Sequence, residues 1–515
     1  MTRKRLPIGI QNFREIREEY GYYVDKTPFA LGLVNQGKYF FLSRPRRFGK
    51  SLFLDTLKEL FEGNRSLFSG LYAEDNWDWS VTYPVIRISF GGGVIRDRKD
   101  LDRSIRTILR CNRERLCIDC QEPDHISSCF ADMIRNAHLK TGQRVVVLVD
   151  EYDNPILDRI ENEELALDIR EGLKDLYSVI KESDAHIKFA FLTGVSKFSK
   201  VSLFSGLNNL QDITLDHRYS AICGYTENDL DDVFGPELEG LDREEVRKWY
   251  NGYNWTGASV YNPFDLLLLF DTRQFRSYWF ETGTPTFLVR LLMERRQFTP
   301  DLDRIVASEA LLSTFDIGNI PVEALLFQTG YLTVDSVELI PGHMELRLRY
   351  PNLEVRAGLH DSLLGVMCGN PGIPSRHVGS LYRLLQAVDF SGLRALFHSF
   401  YASIPHQWYT NNSIAQYEGF YVSVFYSYFA ALGLDIRTEE STNHGRIDMA
   451  VLFGSQVYLF EFKVVEETPA GSALQQIRDM GYADKYRAMG CPIHLVGVEF
   501  SKTDRNIVGF EVETI

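Results

Sequence analysis

A lysine and a serine at the end of a short loop are the first residues whose types and spacing suggest chemistry. The segment Arg44-Pro-Arg-Arg-Phe-Gly-Lys-Ser51 follows a predicted strand and precedes a helical pattern from Leu52 to Glu62. In this context backbone amides and a helix N-terminus face a bound phosphate, Lys50 reaches the terminal phosphates and Ser51 binds Mg²⁺. Arg44 replaces the first glycine of the usual G-x-x-x-x-G-K-[ST] pattern, so on spacing alone a helix cap without a ligand stays an alternative.

An acidic pair, Asp150 and Glu151, ends a second predicted strand, the apolar run Val145 to Val149. Ligands of open α/β sheets bind at the carboxyl ends of the strands, where Asp150 is expected to hold Mg²⁺. Glu151 is expected to orient or deprotonate the attacking water. A third strand ends in Thr193, whose hydroxyl can contact the γ-phosphate. The alternative for the acidic pair is a solvated turn.

A second group of charged residues lies near the end of the chain. Glu461 and Lys463 are two residues apart on an apolar predicted strand and therefore point to one face of it. The preceding antiparallel strand can bring Asp448 beside them. Two carboxylates and a lysine on one face predict a Mg²⁺-dependent phosphodiesterase site. The alternative is an exposed strand edge with an ordinary Glu/Lys pair.

The elements that position these residues predict an α/β chain of three domains. Short apolar runs, typical of buried parallel strands, alternate with helical patterns in the first 220 or so residues. A mainly helical middle part with a small β element follows, in which helical patterns include Val246 to Tyr253, Pro263 to Phe270 and Pro285 to Glu294. Helix, hairpin, helix and strand then predict a C-terminal α/β domain. The expected domains are 1–224, 225–384 (lid-like or winged-helix-like) and 385–515.

Six short motifs resemble those of the bacterial AAA-ATPase-like proteins, P-loop ATPases related to the AAA and STAND groups. They are Leu6-Pro-Ile-Gly-Ile10, Tyr23-Val-Asp-Lys-Thr27, Arg44 to Ser51, Val147-Leu-Val-Asp-Glu-Tyr-Asp153, Thr193-Gly-Val-Ser-Lys-Phe198 and Trp249-Tyr-Asn-Gly-Tyr253. The form with Arg44 is usual in that family. The resemblance implies a P-loop sheet domain that binds ATP and Mg²⁺ through Arg46, Arg47, Phe48, Gly49, Lys50, Ser51, Asp150 and Thr193.

The C-terminal residues resemble the PD-(D/E)XK nuclease superfamily, in the version commonly fused behind this ATPase. The resemblance is carried by Asp448, Glu461-Phe-Lys463, Gln476 and Gly481-Tyr-Ala-Asp-Lys-Tyr486, with Glu418 as an additional acidic residue. It implies a restriction-endonuclease-like fold in which Asp448 and Glu461 bind metal, Lys463 is catalytic and Gln476 faces the site.

Charge and composition limit the partners. The chain of 515 residues has a formal charge of −14, and residues 441–515 carry seven Lys/Arg against ten Asp/Glu, a net charge of −3, so nucleic-acid contacts require a local basic patch. The basic run from Arg96 to Arg115 is one candidate, with a solvated helix face as the favoured interpretation.

No apolar run is long enough for a membrane helix, and seven cysteines argue against a disulfide framework, so we expect a cytoplasmic protein.

Two weaker signals receive structural interpretations. Cys117, Cys120, His125 and Cys129 lie in one short connection, which favours free thiols over a zinc site. The aromatic helix from Tyr417 to Phe429 is expected to be core.

The sequence thus predicts an ATPase whose nucleotide state is coupled to a nuclease-like domain acting on nucleic acid, with DNA as the expected substrate. A role in defence or in control of mobile elements is suggested by the fusion alone, and the chain is a possible homo-oligomer. The alternative is a nucleotide-switched protein whose last domain binds without cutting. A metabolic kinase is disfavoured because the last domain would have no task.

Overall fold

The structure is a computed structural model of the 515-residue chain. The structure describes residues 3–197, 207, 209–279, 288, 291–292, 299–313, 316–368, 372–404, 418–441 and 445–515. It divides into two compact units. Unit 1 comprises Met1–Trp279 and Arg304–Asn352, and unit 2 comprises Phe280–Asp303 and Leu353–Ile515. The predicted middle segment 225–384 therefore contributes to both units, and the three-domain division stays a prediction.

A five-stranded parallel sheet forms the centre of unit 1, in the order β2-β3-β4-β1-β5. Its strands are β1 Tyr39–Ser43, β2 Val85–Ser89, β3 Val145–Asp150, β4 Ile187–Gly194 and β5 Gln211–Asp212. Every residue of β1 and β3 is buried, as expected where helices cover both faces of a sheet. Because β4 lies between β1 and β3, the ends of these three strands meet at one edge.

Helices surround this sheet and extend unit 1 beyond it. They are α1 Phe13–Glu18, α2 Thr27–Gln36, α3 Lys50–Phe61, α4 Ala73–Asn76, α5 Arg98–Leu116, α6 Ile126–Thr141, α7 Asn154–Leu157, α8 Glu163–Glu182, α9 Glu227–Leu238, α10 Arg243–Tyr250 and α11 Pro263–Thr272. The helix predicted from Val246 to Tyr253 starts earlier and ends at Tyr250. Gly252 has φ +115°, a backbone conformation that a helix cannot contain.

The remainder of unit 1 is a small three-stranded antiparallel sheet with two short helices. Its elements are β6 Val306–Ser308, α12 Glu309–Leu312, α13 Val322–Thr329, β7 Thr333–Ile340 and β8 His343–Arg349, and the strand order is β6-β8-β7. Six of the eight residues of α13 are buried. This helix is therefore packed inside unit 1 rather than presented to a partner.

Unit 2 is built around a mixed five-stranded sheet with the order β13-β12-β11-β10-β9. Its strands are β9 Asp435–Ser441, β10 Arg446–Phe453, β11 Gln456–Val465, β12 Ile493–Ser501 and β13 Asn506–Thr514. Only β11 and β12 are parallel. The hairpin β10–β11 and the strand β12 were predicted from their apolar patterns, whereas β9 and β13 were not.

Helices cover both faces of this sheet. They are α14 Leu353–Cys368, α15 Gly372–Ala387, α16 Phe390–Ser403, α17 Glu418–Ala431 and α18 Ser472–Asp479. The aromatic helix α17 packs its buried rings against the sheet, with the Phe425 and Phe460 ring centroids 5.4 Å apart. The prediction that this helix is core is confirmed for its described residues.

Cys120 and Cys129 form a disulfide, so the expectation of free thiols is wrong for this pair, because the first turn of α6 brings Cys129 back to Cys120 with their Cα atoms 5.0 Å apart. Cys117 is a free, exposed thiol. The helix predicted from Pro285 to Glu294 lies largely outside the described residues. In the described part of the chain, no helix is long and apolar enough to cross a membrane.

Candidate functional sites

The loop between β1 and α3 holds the first candidate site. Gly49 has φ +90° and precedes the first residue of α3, so the chain turns sharply and the helix N-terminus opens at the end of β1. Lys50 is 6% exposed, and its Nζ donates to the carbonyl oxygens of Arg44 and Pro45 at 2.9 Å each. Burial lowers the pKa of this amine, while Asp150 and Glu151 oppose that effect. Ser51 follows it in α3 and is half-buried.

Arg44, which replaces the usual first glycine, is a structural part of this loop. Its side chain is fully buried and donates to the carbonyl oxygens of Ser43 (2.8 Å), Thr214 (2.9 Å) and Tyr219 (3.1 Å). Its guanidinium group lies 4.0 Å from the centre of the Trp255 ring. Burial lowers the pKa of Arg44 to about 10, so the group stays charged at neutral pH. The arginine thus ties the loop to the segment that follows β5.

Aromatic packing holds the middle of the loop. Phe48 is 1% exposed, and its ring contacts Tyr253 edge-on at 4.6 Å and Trp255 at 5.4 Å between centroids. Arg46 and Arg47 are exposed, and the Arg47 guanidinium lies 4.5 Å from the centre of the Phe264 ring. The Trp249-Tyr-Asn-Gly-Tyr253 motif therefore supplies Tyr253 as a support for the phosphate loop.

The predicted acidic pair and Thr193 meet beside this loop. Register pairs Leu42 of β1 with Thr193 of β4, and the Thr193 hydroxyl donates to Asp150 Oδ1 at 3.0 Å. Asp150 is 3% exposed, and its other oxygen lies 3.9 Å from Arg87 Nη2. Glu151 has φ +53°, and burial followed by the charge of Asp150 raises its pKa. Lys50 acts on both carboxylates, so the predicted residues lie in one electrostatic environment.

The two residues that directly follow the acidic pair, Tyr152 and Asp153, hold the loop after β4 in place. The sequence did not predict this contribution to the site. Asp153 is buried and accepts hydrogen bonds from the amides of Val195 (3.1 Å) and Ser196 (2.6 Å) as well as from the Ser196 hydroxyl. Tyr152 donates from its hydroxyl to the Ser196 carbonyl at 3.1 Å. Their place within the Val147 to Asp153 motif was the available signal.

The second candidate site lies on the hairpin β10–β11 of unit 2. Asp448 Oδ2 accepts the amide of Phe462 at 2.8 Å, which places the aspartate across from Glu461 and Lys463. Glu461 is 1% exposed, and Lys463 Nζ donates to its Oε1 at 3.3 Å. Burial, followed by the charge of Asp448, raises the pKa of Glu461 to about 7. The three residues predicted to share one face are thus brought together.

Gln476 on α18 joins the same site. Its side-chain nitrogen donates to Glu461 Oε1, the oxygen that also receives Lys463. The Tyr482 ring is almost fully buried beside Gly445. Burial raises the pKa of its phenol, and the nearby Gln476 side chain opposes that effect. Tyr482 was noticed only as part of a motif, and its position behind Gln476 depends on the fold.

Glu499 holds the helix that carries Gln476, a role the sequence did not indicate. Its two carboxylate oxygens accept the backbone amides that open α18, those of Ala470 (2.6 Å), Gly471 (3.1 Å), Ser472 (2.7 Å) and Ala473 (3.3 Å), together with the Ser472 hydroxyl. These hydrogen bonds outweigh burial and lower the pKa of Glu499. A negative charge at a helix N-terminus stabilises the helix, so α18 is fixed against β12.

The donor set of the second site fits a divalent cation. Glu461 Oε2 is buried and has no hydrogen-bond partner among the described residues, which is costly unless a cation binds there. Carboxylate oxygens from Asp448 and Glu461 suit Mg²⁺.

Glu418 begins α17, but its side chain lies outside the described residues. Within the described part of the chain, no group of three or more His, Cys, Asp or Glu forms a metal cluster, and Cys120 is in a disulfide rather than a zinc site.

A parallel α/β sheet with a phosphate loop, joined to a mixed sheet with a nuclease-like carboxylate group, defines the class of this protein. A family model described as a predicted AAA-ATPase matches residues 7–204, and one described as the PD-(D/E)XK nuclease superfamily matches residues 416–510. The chain belongs to the family of AAA-ATPase-like proteins that carry a C-terminal PD-(D/E)XK nuclease-superfamily domain.

A curated relative with the same extent comes from Azotobacter chroococcum mcd 1. It is described as an uncharacterized protein in the vnfD 5′ region, is 64% identical over 517 residues and is matched over 100% of both chains. No solved structure matches the chain. These findings agree with a protein that has a nucleotide-binding domain and a nuclease-like domain.

Proposed function

We propose that this chain is an ATPase whose nucleotide state controls a Mg²⁺-dependent nuclease acting on nucleic acid, with DNA as the expected substrate and the cytoplasm as its location. The observation that carries the nuclease half is the buried, unpartnered Glu461 Oε2 beside Asp448, with Lys463 and Gln476 on the other oxygen. A role in defence or in control of mobile elements is part of the proposal and is supported by the domain fusion alone.

In unit 1, we assign the nucleotide phosphates to the loop from Arg46 to Ser51. Lys50 uses two of its three N–H groups on the carbonyls of Arg44 and Pro45, which aims the amine and leaves one N–H for a phosphate. Ser51 and Asp150 would hold Mg²⁺. Thr193 orients Asp150, and Glu151, with its raised pKa, is suited to take a proton from the attacking water.

In unit 2, we assign the metal to Asp448 and Glu461. A bound Mg²⁺ would stabilise the negative charge that develops on the scissile phosphate. Lys463 positions the attacking water or neutralises charge on the phosphate, and Gln476 fixes the orientation of the Glu461 carboxylate through Oε1.

A nuclease assay tests the second half of the proposal. Purified protein is incubated with plasmid, linear duplex and single-stranded substrates in Mg²⁺ or Mn²⁺, with and without ATP. Lys463→Ala should abolish cleavage, whereas Lys502→Ala, which removes a surface lysine of the same unit that pairs with Glu466, should leave it unchanged. Cleavage that survives in Lys463→Ala would contradict the assignment.

An ATP hydrolysis assay tests the first half. Lys50→Ala should lower turnover by about 100-fold or more, because a buried cation that stabilises transferred phosphate contributes several kcal/mol. Lys58→Ala, a change on the same helix in a lysine that pairs with Glu59 and Glu62, is the matched control. Hydrolysis at the parent rate in Lys50→Ala would refute this half.

The net charge of −3 on residues 441–515 favours a second candidate, a nucleotide-switched protein that binds nucleic acid without cutting it. In that case affinity for nucleic acid persists while no nicking occurs in Mg²⁺ or Mn²⁺ under any nucleotide condition. The same nuclease assay therefore separates the two functions.

A further inference from the structure

A row of four basic side chains lies on the outward face of α5, which belongs to unit 1. Lys99, Arg103, Arg106 and Arg110 are all exposed and follow the helical spacing i, i+4, i+7, i+11. At 3.6 residues per turn they fall within an arc of about 60° around the helix axis. The buried residues Leu101, Ile105, Leu109 and Asn112 lie on the side that packs into the unit. We call the four exposed residues the α5 basic row.

The positive charge of the row is mostly unopposed. Arg103 pairs with Asp100 at 3.1 Å and keeps 77% of its side chain exposed, while the other nearby aspartate, Asp102, is engaged by Arg98 at 3.0 Å. Arg106 donates to the backbone carbonyl of Asp124. Among the described residues, Lys99, Arg106 and Arg110 have no carboxylate oxygen within 4.0 Å. Of the acidic residues close in sequence, Asp119 is engaged by Arg113 at 3.0 Å, and Glu114 follows Arg110 by four residues on the same helix.

This concentration of charge contrasts with the rest of the molecule. Helix α5 carries seven Lys/Arg against three Asp/Glu, a net charge of +4, in a chain whose net charge is −14. The ordinary explanation of exposed basic residues on a helix is a set of i,i+4 ion pairs, but within the row only Arg103 makes one with a carboxylate three residues away. Intramolecular pairing therefore does not account for the row.

We propose that the α5 basic row is a binding surface for the phosphate backbone of nucleic acid. The row spans about 17 Å along the helix axis, a length over which duplex DNA presents about ten phosphate charges. Exposed guanidinium and ammonium groups suit this contact, which is independent of base sequence. The inference deepens the proposed function because it supplies, on the ATPase unit, the cationic surface that the acidic nuclease-like segment lacks.

The test measures binding rather than cleavage. A fluorescent duplex of about 30 base pairs is titrated with full-length protein in EDTA, with and without ATP, at a series of salt concentrations, and affinity is read by anisotropy. The variant Lys99→Gln/Arg103→Gln/Arg106→Gln/Arg110→Gln removes the row. The control Lys4→Gln/Arg65→Gln/Lys181→Gln/Lys248→Gln removes four exposed cations scattered over unit 1 with the same change of charge.

Removal of four phosphate contacts should reduce the slope of log K against log salt by about 3 to 4, and the control should keep the parent slope. An unchanged slope in the row variant, equal loss in both variants, or no binding by the parent protein would overturn the proposal. Unlabelled polyglutamate and unlabelled duplex are compared as competitors at matched charge. If polyglutamate competes as strongly as the duplex, the proposal is overturned and the row binds an acidic polypeptide instead.

The readout separates this inference from the proposed function. A parent protein that binds through the row but neither cleaves DNA nor hydrolyses ATP would support the inference and refute the proposed function. Cleavage and hydrolysis that persist with an unchanged salt slope in the row variant would do the reverse.

Discussion

Lys50 and Glu461, the central charged residues of the two sites, are both held where water is largely excluded. They are 6% and 1% exposed. Burial disfavours the charged form of each, which lowers the pKa of the lysine and raises that of the glutamate. Each site is therefore electrostatically incomplete without a ligand of opposite charge, an anion beside Lys50 and a cation beside Glu461. Perturbed groups of this kind are typical of functional sites.

The raised pKa of Glu461 has a consequence for stability without metal. The folded chain keeps this proton up to about pH 7, whereas an unfolded glutamate loses it near pH 4.3. The folded state then binds more protons between these values, so stability should fall as pH rises from about 4 to 7, by up to about 4 kcal/mol. Urea unfolding in EDTA, followed at several pH values, measures this.

The variant Glu461→Gln provides the comparison, because an amide cannot titrate. The free energy of unfolding of Glu461→Gln should not show this fall with rising pH. The pH dependence that comes from all other titrating groups should remain. If the parent and Glu461→Gln have parallel pH profiles over this range, the side chain is ionised in the folded state and the environment we describe is wrong.

Tyr482 is expected to position Gln476. Tyr482→Phe keeps the buried ring but removes a hydroxyl whose pKa the Gln476 side chain influences, so that, if this hydroxyl helps to hold the amide, Gln476 should bind Glu461 less firmly. A hydrogen bond is worth about 1 kcal/mol, which predicts roughly a fivefold to tenfold loss of cleavage with little change in melting temperature. Tyr458→Phe, which removes a hydroxyl that donates to the Leu385 carbonyl, is the control. Equal activity in both variants would argue against this role.

At the scale of elements, the phosphate loop depends on parts of unit 1 distant in sequence. Phe48 packs on Tyr253 and Trp255, and Pro45 lies directly against Gly330 at the end of α13. A Cβ atom at Gly330 would come within 2.6 Å of the proline ring. Helix α13 therefore forms part of the wall behind the loop, which explains why so little of its surface is free.

Gly330→Ala tests this contact against Gly342→Ala. Both glycines have positive φ, +92° and +80°, so both changes carry the cost of about 1 kcal/mol for a side chain in that conformation. Only at Gly330 does a Cβ meet another residue, since Gly342 has open space around it. Gly330→Ala should therefore be about 1 to 3 kcal/mol less stable than Gly342→Ala in urea unfolding and should hydrolyse ATP more slowly. Equal stability and activity in the two variants would show that the contact is unimportant.

At the scale of the whole molecule, the coupling that we propose would have to pass along the chain through the last elements of unit 1. The amide of Lys197, just beyond β4, donates to Gln328 of α13 at 2.8 Å, and its amine reaches Ser313 at 2.7 Å. Helix α13 leads through β7 and β8 to Leu353, where unit 2 continues. A shift of the loop after Thr193 can therefore act on the last elements of unit 1.

We expect nucleotide to change the cleavage rate through this route. ATP should alter cleavage by the parent protein by about tenfold, which corresponds to a coupling free energy of about 1.4 kcal/mol. Lys50→Ala should retain basal cleavage and lose the response, and Lys463→Ala should retain ATP hydrolysis and lose cleavage. Cleavage rates of the three proteins with and without ATP measure this. A full ATP response in Lys50→Ala would show that the coupling does not pass through the phosphate loop.

Local patterns in the sequence were enough for much of the architecture. Apolar runs identified β1 to β4, β10, β11 and β12, since a strand buried on both faces must be apolar. The residue types and their positions at strand ends predicted the grouping of Asp150 with Thr193 and of Asp448 with Glu461 and Lys463, and the structure brings both groups together. Their catalytic roles stay predictions.

Tertiary structure alone decided how these groups are supported. The sequence did not indicate that Arg44 would bind three carbonyls, that Glu499 would hold α18, that Cys120 would pair with Cys129 or that residues 225–384 would contribute to two units. These outcomes depend on which distant backbone groups lie nearby once the sheets are packed. A hydrophobic repeat of two or 3.6 residues specifies which face of a strand or helix is apolar. It carries no information about which buried polar groups of the neighbouring elements will need hydrogen-bond partners once the elements are packed.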